Sequence, residues 1–116
     1  MKLKKVFTNN FPKKGFTALT LFPFVFVRKD GREFFTLKTE RHETTHALQQ
    51  LETLYVIFFA LYGVEWLIKL PFCKFDTQKA YMSISFEQEA YEHQDEFGYN
   101  NVRKHFAWIR YIFTLK

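Results

Sequence analysis

His42, Glu43 and His46 stand in a His-Glu-Thr-Thr-His run at 42–46. In a helix, residues four apart leave the same face one turn apart, so both imidazoles can reach one metal ion. Zinc takes imidazole nitrogen at about 2.0–2.1 Å and, in catalytic sites, keeps one position for water. Glu43 follows His42 directly, which sets its carboxylate beside such a water rather than on the ion. There it can take the water's proton and pass it to a leaving amine. A bound ion lowers the water's pKa towards about 7, so hydroxide is available at neutral pH. That is the chemistry of zinc-assisted peptide hydrolysis.

The motif needs a helix to carry it. Thr39 is the predicted N-cap, and Glu40 suits the positive end of the helix dipole. A long helix is expected from Glu40 into the fifties, with the motif in its first turns. Gln49, Gln50 and Glu52 continue it with polar groups able to orient ligands. Two histidines leave the ion one protein donor short, and a carboxylate from a second helix is a common solution. The segment Phe86–Tyr99, FEQEAYEHQDEFGY, reads as such a helix, with Gly98 ending or breaking it. The rival reading of the bare motif is a helix with two solvated or core-satisfied histidines.

HETTHALQQ followed by FEQEAY resembles the gluzincin type of zinc metallopeptidase. Such proteins carry HExxH on one helix and, on a later one, a Glu with a small residue three positions on. Glu87 has Ala90 at that position. The resemblance therefore implies His42, His46 and Glu87 on Zn2+, Glu43 as general base, and Glu89 as the alternative third ligand. Many gluzincins place Asp or Asn four residues after the glutamate to support a ligand histidine. Here that position is Tyr91, so Tyr91, Glu92 or Asp95 is left to fill the role. The likeness covers residues 33–100 and implies a minimal zincin-like fold. It is shared with small bacterial proteins, which implies the cytoplasm or the cytoplasmic membrane.

The remaining elements frame the site. Residues 1–15 read as a poorly ordered lead-in. Phe16–Val27 favours strand, the Asp-Gly at 30–31 signals a turn, and Glu33–Leu37 reads as a second strand, giving a β-hairpin over 16–37. Either strand could offer its edge to an extended peptide. Residues 39–115 read as mainly helical. Leu54–Leu70 is the most apolar stretch, ended by Pro71. A polar stretch, Phe75–Ser85, separates it from the glutamate helix, and Arg103–Leu115 is the predicted final helix. The whole is α+β in one domain, 1–116.

With 47% hydrophobic residues and sixteen Phe, the chain has ample material for a core. Its net charge of +5 is spread along the sequence, and no nucleic-acid partner is expected. The lone Cys73 excludes an intramolecular disulfide and a Cys-based zinc site, and it reads as a buried or membrane-facing thiol. Leu19–Val27 holds Pro23 and no small-x-small site, so no cleavable signal peptide is expected. Residues 54–70 are near the lower length limit for a membrane span, yet include Glu65 and Lys69. They are a site of possible membrane contact. Tyr55, Tyr62 and Trp66 read as packing or interface residues. His93 and His105 read as solvated, and Arg103, Lys104 and Arg110 as a solvated or lipid-headgroup-facing surface. Tyr81, Tyr91, Tyr99, His93 and His105 are all open as stabilisers of a developing oxyanion. The expected partner is a peptide or protein substrate. The alternative is a non-catalytic small protein that is zinc-stabilised or membrane-associated.

Overall fold

Alternation sets the sheet. In Phe24–Arg28 (β3) Val25 and Val27 point inward and are fully buried, while Phe24 faces out. The computed structural model describes residues 3–9, 12 and 16–116. The chain reverses at Phe22-Pro23, so Ala18–Leu21 (β2) lies antiparallel to β3. The single strand expected over Phe16–Val27 is thus two. Lys4–Thr8 (β1) pairs with β3 in parallel, giving the order β1-β3-β2. The lead-in therefore supplies a strand, while residues 1, 2, 10, 11 and 13–15 lie outside the described residues.

The hairpin expected over 16–37 does not form in that register. Lys29–Phe34 is a 3-10 turn rather than a strand. Both edges of β3 are already taken, by β1 and β2, so Glu33–Leu37 has no edge there to join. Arg28 holds the turn with two hydrogen bonds to Asp30, at 3.0 and 2.9 Å.

The metal-motif helix, α1, runs Leu37–Glu52. Its N-cap is Thr36, whose Oγ1 accepts the Thr39 N–H, so the helix starts one turn before the Thr39 cap expected from sequence. Most of its buried residues are polar, including His42, Glu43, Thr45, His46, Gln49 and Gln50. Such a face is stable only if each group finds a partner. Gln50 joins it to the sheet, donating to Thr20 O at 2.6 Å and accepting Phe22 N–H at 2.8 Å.

α2 spans Val56–Phe72 and includes Pro71 in its last turn. It outlasts the proline because Cys73 N–H closes the turn on the Lys69 and Leu70 carbonyls. The Phe75–Ser85 stretch folds as a short helix, α3 (Thr77–Ser83), capped by Asp76. After Ile84 comes α4, Ser85–His93. It stops short of the expected Tyr99, and Gly98 precedes a separate turn of helix, α5 (Tyr99–Val102). The final segment holds only a 3-10 turn, Ala107–Tyr111, in place of a helix over Arg103–Leu115.

The class is α+β. One core cluster joins Val25 and Val27 to Ala47 of α1, and a second packs Phe58, Ile84, Phe86 and Trp108 between α2, α4 and the C-terminal segment. Among the described residues no single helix is long and apolar enough to cross a membrane; α1 and α2 pass that test only as a pair bent by 111°.

Candidate metal centre

α1 and α4 pack face to face and bring three donors to one point. His42 Nε2 lies 3.2 Å from His46 Nε2 and 3.2 Å from Glu87 Oε1, and His46 Nε2 lies 3.2 Å from Glu87 Oε2. Donors at 2.0–2.1 Å from a tetrahedral zinc stand about 3.3–3.4 Å apart. The two contacts to Glu87 use different carboxylate oxygens; with one ligand atom from each residue, the three lie within 4.8 Å of one another, a group that could hold a metal ion. The three residues are 6%, 6% and 4% exposed, so the point is almost dry.

The outer nitrogens are committed. Gln49 Nε2 donates to Phe86 O and Glu89 Oε1, at 3.1 and 2.9 Å, and both can only accept. Its Oε1 must then be the atom 2.8 Å from His46 Nδ1, which makes Nδ1 the protonated nitrogen. Gln94 Oε1 takes the Nδ1–H of His42 at 2.9 Å. Both Nε2 lone pairs are thereby aimed inward, where they need a proton or a cation between them.

Charge balance follows. Burial alone would raise Glu87, but the two imidazoles hold its carboxyl well below the usual range. Burial alone would lower His46, but Glu87 beside it pushes it up to about 9 in the metal-free chain. Tyr62 donates to Glu87 Oε2 at 2.5 Å. Glu43 stands apart from this cluster; burial raises its pKa while His46 and His42 pull the other way. Thr20 of β2 donates its hydroxyl to Glu43 Oε1 at 2.7 Å and fixes the carboxylate's rotation.

A cavity of about 430 Å³ opens over these residues, lined among others by Leu19, Thr20, Phe59, Tyr62 and Tyr81. Of the strands expected to offer an edge, Glu33–Leu37 is absent and β2 is the edge strand beside α1.

The structure also sorts the other candidates. Glu89 is turned away from the histidines; its carboxylate meets Arg103 Nε at 2.7 Å, Tyr99 O–H at 2.6 Å and Gln49. Arg103, expected on a solvated or lipid-headgroup-facing surface, has a side chain only 4% exposed and also pairs with Glu52. His93, expected in solvent, is half-buried, stacked on Tyr99 and bonded to Glu96. Tyr99, His93 and the exposed His105 lie off the site, whereas Tyr81 and Tyr91 flank it. Tyr91 packs its ring against His42 at 4.4 Å instead of supporting its nitrogen.

Sequence reasoning missed Gln94, Thr20 and the role of Tyr62. Gln94 had a signal, since it lies seven residues after Glu87, two helical turns on. Its binding to His42 and the bond from Arg41 to its carbonyl anchor the chain just past the end of α4.

Compared with protein-family models, curated proteins and solved structures, the chain finds no match.

Proposed function

We propose that the chain is a zinc-dependent metallopeptidase of the gluzincin type, with His42, His46 and Glu87 as ligands. What carries the reading is the set of three inward donors, one from each residue and within 4.8 Å of one another, opening with Glu43 into one cavity. Bound zinc would supply Lewis acidity towards water and a carbonyl oxygen. Glu43, raised by burial and held by Thr20, takes the water's proton and returns it to the leaving amine. The edge of β2 receives an extended peptide by backbone hydrogen bonds. Tyr81 stands at the cavity wall as a hydroxyl donor for the developing oxyanion, while the Tyr62 hydroxyl is committed to Glu87. On this reading β2, α1 and α4 form the working part of a minimal zincin-like fold.

The first test is zinc per chain in the purified protein and in Glu87→Ala. One zinc in the parent and much less in the variant is expected; none in the parent after zinc is supplied at neutral pH sinks the proposal. The near-complete burial of all four residues favours one alternative, a zinc ion kept only for stability. Glu43→Gln separates the two. It retains zinc and fold in either case, but an enzyme loses about 10²-fold or more in cleavage rate.

A further inference from the structure

α2 carries its charges inward and its apolar side chains outward. Glu65 and Lys69 are its only charged residues. They pair at 2.7 Å with side chains 13% and 7% exposed. Lys69 also donates to the carbonyls of Ser83 and Thr114, and Glu65 accepts from the Ser85 N–H and O–H at 2.6 Å. The outward side, next to this pair around the helix, presents Val56, Ile57, Val64, Leu67, Ile68 and Phe72, with Val56 78% and Phe72 71% exposed. At 3.6 residues per turn these six fall within an arc of about 160°. A helix facing water has the reverse arrangement.

The apolar face continues beyond α2. A groove of about 500 Å³ separates the helix from the C-terminal segment, walled mainly by apolar residues such as Leu61, Ile68, Trp108 and Leu115, with the paired Glu65 and Lys69 also on its lining. Past it, Ile109 and Phe113 are 50% and 98% exposed. The charge around this surface is mostly positive, with exposed Asp76 near Lys74 and exposed Glu92 against Tyr111 as exceptions. Lys74, Lys104, Arg110 and Lys116 are exposed, and no Asp or Glu occurs between Arg103 and Lys116. Asp76, the acidic neighbour of Phe75, caps α3.

We propose that α2 and the C-terminal segment dock on an anionic lipid bilayer. The helix lies along the interface, with its outward side chains among the acyl chains and the basic residues at the headgroups. Its 17 residues give about 25 Å of apolar contact. A second copy of the chain fits the surface less well, because a self-complementary contact would set one mostly positive rim against another. Phe59 and Tyr62 on the flank of α2 line the metal-site cavity, so docking brings that cavity to the membrane surface.

Sedimentation of the full chain with vesicles of equal phosphatidylglycerol and phosphatidylcholine tests this, with and without zinc. The parent is expected to bind in both conditions and to weaken as salt is raised. Leu67→Glu with Ile68→Glu, both outward, is expected to weaken binding about tenfold or more while helical circular dichroism is kept. In the parent alone, brominated acyl chains are expected to quench Trp66 and Trp108 fluorescence. A parent that stays in the supernatant, unquenched, overturns the proposal. So does a folded double variant that binds as the parent does. A parent that dimerises through this face without binding vesicles assigns it to a second copy instead. None of these readouts depends on the metal site.

Discussion

Glu89 decides which end of the Gln49 amide faces His46. Its Oε1 accepts Gln49 Nε2 at 2.9 Å, which leaves Gln49 Oε1 for the Nδ1–H of His46. Reversing the amide would set its oxygen against a carboxylate and a backbone carbonyl. Replacing Gln49 by Leu removes the acceptor that selects the His46 tautomer. Zinc affinity should fall about 10–100-fold, the usual cost of losing such a supporting bond. Competition with a chromogenic chelator measures the affinity, and 15N shifts of the His46 ring in the metal-free chain, read above the pKa of about 9 where the imidazole is neutral, report the tautomer. Unchanged values in both would show that Gln49 only packs.

Arg103 bridges two buried carboxylates, Glu52 and Glu89. Arg103→Met keeps the stem and removes the charge, leaving Glu89 unpaired in the core. Breaking a buried pair from one side costs about 3–5 kcal/mol. Urea unfolding should show a loss of that order. A loss near zero would mean that solvent reaches Glu89 readily.

Acid should expose the same pair. Burial alone would raise Glu89, but hydrogen bonds from Arg103, Tyr99 and Gln49 bring it below its ordinary 4.5. A carboxyl depressed on folding stabilises the fold above its unfolded pKa, and that contribution is lost as pH falls through the folded value. Parent stability should therefore drop below about pH 4.5. In Arg103→Met the unpaired Glu89 is raised instead, so protonation relieves it. The gap between the two proteins should narrow as pH falls, read from unfolding curves at stepped pH.

Zinc should compete with a proton at His46. Glu87 raises this imidazole to about 9 in the metal-free chain, so His46 carries a proton at pH 7 that the ion must displace. Apparent affinity should weaken about tenfold per pH unit below pH 9, with about one proton released per zinc. Titration calorimetry in buffers of different ionisation enthalpy counts the proton. No release at pH 7 would show His46 neutral before binding.

The sequence by itself determined what depends on residues within a turn of one another. The i, i+4 spacing put His42 and His46 on one face, strand patterns followed by helical ones pointed to the α+β class, and Ala90 three residues past Glu87 singled out that glutamate through the family resemblance alone. The same local rules left Glu87 and Glu89 both open as the third ligand. They could not say which faced the histidines, because the answer is the position of Arg103, supplied from a distant segment. Likewise, Glu65 and Lys69 stood in the sequence only as charges that count against a membrane span, and it is Ser85 and the Ser83 and Thr114 carbonyls that satisfy them inside. The placement of β1 on β3 filled the edge that a strand at Glu33–Leu37 would have needed. Each of these choices turns on which distant group replaces the water lost on burial, and only the tertiary structure brings that group within bonding distance.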